Sequence, residues 1–143
     1  MKELPKNTRA TVIPCVTYDD APAAIEWLCD HFGFTTHSVY EDNEGRVMHA
    51  ELSFGNGMLM LGSSDKKSDY GKVMALPNEI GGRQTQTICV ITNDPDEIYR
   101  RAKAGGAEIF LDIEDKPYGG RGFSCRDLEG HIWSFGDYDP WAA

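Results

Sequence analysis

The chain has 143 residues, of which 41% are apolar and 26% are charged, and its formal net charge is −9 at pH 7. This length and composition predict one globular domain, residues 1–143, with a core of its own. The acidic balance argues against nucleic acid and membrane surfaces, because both attract basic patches. No apolar run approaches the ~20 residues of a membrane span, and the first residues lack a secretory signal, which predicts a cytoplasmic protein.

The first part of the chain predicts a strand, a helix and a second strand. Residues 11–18 are rich in β-forming residues, and Pro14 indicates that this strand lies at a sheet edge. Asp20 stands just before a proline, which is typical of a helix start, and Gly33 is a typical end for that helix. The next strand is predicted over residues 34–40.

A β-hairpin is predicted over residues 45–62, where two apolar runs flank Asn56 and Gly57. With these two residues as the turn, Leu52 lies opposite Leu61. One face is then apolar and carries Met48, Ala50, Leu52, Phe54, Leu59 and Leu61. The other face carries His49, Glu51, Ser53, Met58 and Met60. Two methionines beside a His-x-Glu pair are not typical of a solvated face, so we predict that this face lines a ligand pocket.

The predicted series of strands and a helix is then interrupted by a linker, after which the same series is repeated. Residues 65–82 mix charge, glycine and proline, and we interpret them as a linker and lid-like loop. After the linker come a strand at 85–92, a helix with Asp94 as its cap, and three more strands. The helix caps Asp20 and Asp94 differ by 74, and this offset applied throughout places Glu51 on Cys125. The chain is therefore predicted to contain two βαβββ modules, residues 9–64 and 83–138.

A unit of this size does not bury both its helix and its sheet face alone, so two should associate about a pseudo-twofold axis. The predicted fold class is α+β, with a curved mixed sheet that forms a cleft. Such a cleft is the expected position of a small-molecule ligand.

The duplicated unit resembles the vicinal-oxygen-chelate superfamily, which contains glyoxalase I, bleomycin-resistance proteins and extradiol dioxygenases. The resemblance rests on the helix between Asp20 and Phe34 and on the run DLEGHIWSF at 127–135. The resemblance is strongest to a glyoxalase-like subgroup, which has in common with this chain the motifs M-H-A-E-L and L-M-L and the C-terminal motif W-S-F-G-x-Y-D-P-W. The resemblance covers residues 9–138. It implies the two-module fold and a homodimer, because this superfamily commonly pairs its modules within or between chains.

The metal enzymes of that superfamily place His, Glu, His and Glu on the first and fourth strands of the two modules. The resemblance puts these positions at Ile13, Met60, Thr87 and Ser134, with Cys15 as the same-face neighbour of Ile13. None of the four is an ordinary ligand of nickel, zinc or iron. We therefore expect no metal and no cofactor, and no glyoxalase I or dioxygenase activity by the usual route.

Our first hypothesis for the function is a metal-independent protein of the bleomycin-resistance type that sequesters a drug or metabolite. Its cleft would be lined by Ile13, Cys15, His49, Glu51, Met58, Met60, Thr87 and Ser134. The acidic charge and the aromatic content favour a cationic, partly aromatic ligand. Two alternatives remain open: a lyase or isomerase with Glu51 as general base and His49 as its partner, and a divergent metalloenzyme that uses His49, Glu51 and His131.

For the four cysteines and for two arginines the sequence leaves alternative roles open. Cys15, Cys29, Cys89 and Cys125 form no C-x-x-C pair and lie in apolar stretches, which predicts buried, reduced thiols, with a catalytic thiol or a disulfide as alternatives. Arg121 and Arg126 either form solvated salt bridges or meet an anionic substrate.

Overall fold

A computed structural model describes residues 2–142 and contains the two predicted modules. The first module consists of β1 (Cys15–Tyr18), α1 (Ala21–Trp27), β2 (Thr35–Glu41), β3 (Val47–Phe54) and β4 (Gly57–Ser63). The second consists of β5 (Ile88–Ile91), α2 (Pro95–Ala104), β6 (Glu108–Asp115), β7 (Arg121–Arg126) and β8 (Ile132–Gly136). This order confirms the predicted α+β class. Within the described residues, no helix is long and apolar enough to cross a membrane.

The two four-stranded sheets have the same topology, with strand orders β1-β4-β3-β2 and β5-β8-β7-β6. In each sheet the first strand runs parallel to the fourth, and the remaining pairs are antiparallel. Cys15 lies opposite Met60 and Cys89 lies opposite Ser134, so the predicted offset of 74 holds for these strands. Equivalent residues of β3 and β7 are 73 positions apart, because Glu51 lies opposite Met60 and Ser124 lies opposite Ser134. Glu51 therefore corresponds to Ser124 and not to Cys125.

The predicted register of the β3–β4 hairpin was wrong by two residues. Phe54 pairs with Gly57 and Leu52 pairs with Leu59, so the turn residues are Gly55 and Asn56. Gly55 has a φ of +57° and Asn56 has a negative φ, which is the pattern of a turn with glycine at its first central position. A shift of two residues leaves every side chain on its predicted face, because side chains alternate with a period of two.

Met48 was also assigned to the wrong face. Tyr40 pairs with His49 and Glu41 pairs with Val47, so Met48 is the extra residue of a β-bulge. The bulge places Val47 in the core, 2% exposed, and leaves Met48 65% exposed. Met48 thus contributes to the face of the sheet that no helix covers, which we call the open face, and not to its apolar face.

One hydrophobic core is shared by the helix-covered faces of both sheets. The chain continues from α1 through a π-helical turn, Leu28–Phe32, and ends this helical segment at Gly33, which has a φ of +84°. The Phe32 ring packs edge-on against Trp133 and Phe135 of the second module, at centroid distances of 5.2 Å and 4.7 Å. The predicted caps are present, because the Asp20 and Asp94 side chains accept hydrogen bonds from the first helical turns.

A buried carboxylate joins the modules beside this core. Asp127 Oδ2 accepts hydrogen bonds from the Tyr18 hydroxyl at 2.6 Å and from Trp133 Nε1 at 3.0 Å. Asp127 Oδ1 accepts from the backbone N–H groups of Glu129 and His131, both at 3.0 Å. Burial, and then the charge of Asp127, raise the pKa of Tyr18 well above its ordinary value. The carboxylate is therefore fully satisfied and fixes the β7–β8 turn against β1.

Replacing this carboxylate should destabilise the fold. Asp127→Ala leaves two buried side-chain donors and two backbone donors without their acceptor, which we expect to cost about 3 kcal/mol in free energy of unfolding. Urea denaturation measures this loss. Asp139→Ala removes an exposed aspartate that accepts one backbone hydrogen bond and is the matched control. An Asp127→Ala value as small as that of Asp139→Ala would contradict the role of this carboxylate.

Candidate functional site

The open face of the first module carries a cavity of about 290 Å³ beneath the linker. The parallel pairing of β1 with β4 places Cys15 beside Met60, and both side chains line the cavity with His49. Further lining side chains come from the β3 bulge and from the linker: Met48, Tyr70 and Met74. The wall therefore combines three methionines, a thiol, a phenol and an imidazole.

His49 and Glu51 form the polar centre of this face. They are two residues apart on β3, which places both side chains on the same side of the strand, and His49 Nε2 lies 2.9 Å from Glu51 Oε2. Their side chains are 40% and 25% exposed, so the pair is partly shielded. Of the two, His49 lines the cavity and Glu51 does not. The Tyr40 ring stacks on the imidazole at a centroid distance of 6.0 Å. This arrangement can share a proton or offer a carboxylate to a cation.

The structure brings together only some of the predicted site residues. Cys15, His49, Glu51 and Met60 lie on adjacent strands of one open face, with Glu51 directly opposite Met60. Ile13 and Thr87 precede β1 and β5 and line no part of this cavity.

Two predicted residues lie elsewhere on the open face. Met58 pairs with Ser53 near the hairpin turn and lines a different cavity. Ser134 belongs to the second module, where its hydroxyl lies 2.7 Å from that of Ser124.

The superfamily's metal enzymes imply a metal ion at these strands, and the residues present do not fit one. The register places Cys15 and Cys89 next to Met60 and Ser134, so the four central positions offer thiols, a thioether and an already paired hydroxyl. Over residues 2–142, no three histidine, cysteine or acidic side chains come together as a metal site. His131 lies at the module junction, where its Nε2 lies 2.9 Å from the Thr17 carbonyl oxygen, away from the His49 and Glu51 pair.

The linker is held over the cavity by an internal ion pair. Lys66 Nζ lies 2.7 Å from Glu79 Oε1 and donates to the Met74 carbonyl at 3.1 Å. The hydrogen bond from Lys66 lowers the pKa of Glu79, which also accepts from the Leu76 backbone N–H. Tyr70 and Met74 are thereby positioned against the open face. Sequence analysis missed both: the short apolar run at 73–76 inside the polar linker includes Met74 but has no periodicity, and Tyr70 lies outside it.

The two candidate cations of the second module are engaged in ion pairs. Arg121 Nε lies 3.0 Å from Asp96 Oδ2, and this contact lowers the pKa of Asp96. Arg126 Nε lies 3.0 Å from Glu108 Oε2, and its Nη1 donates to the Gly82 carbonyl at 2.6 Å. The salt-bridge alternative therefore describes both arginines.

The cysteines differ from the prediction of four buried thiols. Cys125 is buried, and burial raises the pKa of its thiol to about 12. Cys15 and Cys89 are exposed at equivalent positions of the edge strands β1 and β5, and Cys29 is half-buried. The prediction was wrong for Cys15 and Cys89 because an apolar strand segment does not reveal which of its faces lacks a cover.

Comparison with known proteins identifies relatives of this architecture. The model of the glyoxalase/bleomycin resistance protein/dioxygenase superfamily matches residues 11–135. The uncharacterized protein Rv0887c of Mycobacterium tuberculosis (strain ATCC 25618 / H37Rv) is 29% identical over 130 residues, which are 91% of this chain and 75% of that protein.

Solved structures show the same fold. TioX from Micromonospora sp. ML1 superposes with a TM-score of 0.70 at 32% identity, over 89% of this chain and 97% of TioX. Lactoylglutathione lyase from Agrobacterium tumefaciens superposes with a TM-score of 0.65 at 20% identity, over 93% of this chain and 96% of that chain. The lyase, at this identity, is evidence for the fold alone.

The exposure of the thiols predicts their order of reaction. At concentrations low enough to keep the chain monomeric, so that no partner covers the open face, we expect two thiols per chain to react fast with 5,5′-dithiobis(2-nitrobenzoic acid), Cys29 more slowly, and Cys125 only after unfolding. Absorbance at the thionitrobenzoate band counts the thiols. Cys15→Ser should remove one fast equivalent, whereas Cys125→Ser should leave the fast phase unchanged. Four thiols that react only after denaturation would contradict this assignment.

Proposed function

The chain belongs to the glyoxalase/bleomycin resistance protein/dioxygenase superfamily, and from that premise we propose that it binds a small organic molecule without a metal ion. The binding site is the cavity on the open face of β1, β3 and β4. The observation that carries the proposal is the His49–Glu51 pair, which stands beside a wall of methionines. Drug or metabolite sequestration is the corresponding role.

The chemistry of the wall favours an aromatic cation. Methionine thioethers are polarisable and make favourable contacts with aromatic rings, and Met48, Met60 and Met74 surround the cavity. The Glu51 carboxylate supplies a negative charge that His49 holds in place at 2.9 Å. The net charge of −9 adds a field that attracts cations. A ligand with a flat aromatic part and a positive group therefore fits both the methionine wall and the Glu51 carboxylate.

A second candidate function is supported by the same pair. A carboxylate hydrogen-bonded to an imidazole beside a cavity can abstract a proton next to a carbonyl group. In this alternative the protein is a lyase or isomerase, Glu51 is the base, and His49 orients the carboxylate. The 2.9 Å contact between Nε2 and Oε2 is the observation that favours it.

We also propose that two copies of the chain form a homodimer through their open faces. The second module exposes apolar side chains that no helix covers, and Phe110 and Leu111 are 46% and 51% exposed. An exposed apolar patch of this kind is typical of a protein interface. A partner's second module placed opposite the first module would enclose the ligand cavity between two sheets.

Binding is tested with bleomycin and a panel of aromatic cations by thermal shift and calorimetry in the presence of EDTA. A ligand at 100 times its Kd should stabilise the fold by about 2.7 kcal/mol. Glu51→Gln keeps the hydrogen bond to His49 but loses the charge, so we expect about tenfold weaker binding of a cation. Glu41→Gln, at an exposed position of β2, is the matched control.

The outcomes separate the two candidate functions. No saturable binding by any compound, or binding that EDTA abolishes, would refute the metal-free binder. Conversion of a bound compound to a product of new mass, lost in Glu51→Gln while binding persists, would establish the lyase or isomerase instead.

The dimer is tested by light scattering during size-exclusion chromatography. We expect a mass twice the 15.9 kDa of one chain. Leu111→Glu should give the monomer mass, because it buries an unpaired charge in the interface. Leu128→Glu alters a similarly exposed leucine, 40% against 51%, in the β7–β8 turn and should remain dimeric. A monomeric wild-type chain would contradict the proposal.

A further inference from the structure

A second and larger cavity, of about 470 Å³, lies where the two modules meet. It is formed by β5, by the β3–β4 hairpin turn, by the segment before β1 and by the C-terminal tail. We call it the seam pocket. Its wall includes Val12, Phe54, Met58, Cys89, Ile91 and Trp141. The cavity at His49 contains none of these residues, so the two cavities are separate.

The wall of the seam pocket carries no charge. All of its lining residues are uncharged, although 26% of the residues of the chain are charged. Asn56, Cys89 and the indole N–H of Trp141 supply its polar side-chain groups, and Phe34, Phe54, Trp133 and Trp141 supply four aromatic rings. A charged ligand would lose its hydration here without gaining an ionic partner, whereas an aromatic ligand would find rings to pack against.

The duplication of the chain supplies an internal comparison. A cavity of about 290 Å³ lies at the other end of the same seam, and adding 74 to Val12 and Met58 gives its lining residues Gln86 and Ile132. That cavity presents different side chains, since Gln84, Gln86 and His131 line it and the linker contributes Val73, Met74 and Ala75 to its wall. The seam pocket receives no linker residue. The two ends of the seam therefore differ in their side chains, and the larger cavity is the one lined by phenylalanine and tryptophan rings.

From this comparison we infer that the seam pocket is a second binding site, which takes an uncharged aromatic molecule with a single hydrogen-bonding group. Its volume lies in the range of small-molecule sites, about 300–1,000 Å³, and its aromatic and aliphatic side chains with few polar ones are typical of them. Asn56, on the hairpin turn, has a side-chain amide that can both donate to and accept from this hydrogen-bonding group. This site differs in ligand class from the proposed site at Glu51, which favours a cation.

Two fluorescent probes with the same ring system test the inference. N-phenyl-1-naphthylamine is uncharged, and 8-anilinonaphthalene-1-sulfonate carries a sulfonate on the same skeleton. We expect the uncharged probe to bind saturably and at least tenfold more tightly than the sulfonate. Energy transfer from tryptophan to the probe should accompany binding, since Trp133 and Trp141 line the pocket. Absence of saturable binding of the uncharged probe, or equal affinity for the two probes, would overturn the inference.

Variants locate the bound probe. Ile91→Asp places a carboxylate in the wall, and Trp141→Ala removes a ring that is 83% exposed and not needed for the core. Both should weaken binding of the uncharged probe about tenfold or more. Val39→Asp, on β2 outside both cavities, alters a residue of similar exposure, 38% against 44% for Ile91, and should bind as the wild type does.

One further variant separates this inference from the proposed function. Met48→Asp alters the cavity at His49 and should leave the probe affinity unchanged. Loss of binding in Met48→Asp, with Ile91→Asp and Trp141→Ala unaffected, would place the probe at His49 and refute the seam site. Light scattering checks that each variant keeps the wild-type oligomeric state, and Trp141→Ala decides the outcome if Ile91→Asp does not fold.

Discussion

Two helices cover only one face of two four-stranded sheets, and the rest of the structure depends on this constraint. The aromatic contacts of Phe32 with Trp133 and Phe135 join the helix-covered faces into one core. Within residues 2–142, the largest fully buried side chains, such as Trp133, Phe32 and Phe135, lie on that side of the sheets. The opposite faces are left uncovered, and they carry the exposed cysteines, the methionines and the His49–Glu51 pair. The open face is consequently where we propose that a ligand and a partner bind.

Much of this arrangement could be predicted from the sequence, because it rests on local signals that recur. Helix caps at Asp20 and Asp94 revealed the repeat, and alternation along β3 and β4 gave the correct faces for His49, Glu51 and Met60. The hairpin register was predicted wrongly because Gly55, Asn56 and Gly57 offer two overlapping turns. Only the backbone conformation shows that Gly55 takes the left-handed position.

The remaining errors concern features that a linear pattern does not encode. A bulge reverses the face of a single residue, and this removed Met48 from the core and added it to the cavity. The sequence offset between equivalent strands of the two modules changes when a loop differs by one residue. For this reason the residue equivalent to Glu51 is Ser124 and not the predicted Cys125. The contribution of Tyr70 and Met74 depends on how the linker folds back, and no periodicity in the linker predicts that.

The chemistry of the open face departs from that of the family's metal enzymes at the centre of the site. Sulfur and an internally bonded hydroxyl occupy the strand positions around Met60 and Ser134, while the carboxylate stands one strand away at Glu51. Elemental analysis of protein purified without chelators tests the central claim most directly. The account predicts less than ~0.1 nickel, zinc or iron atom per chain, since residues 2–142 contain no set of ligands for these metals. One equivalent of any of these metals per chain would contradict it.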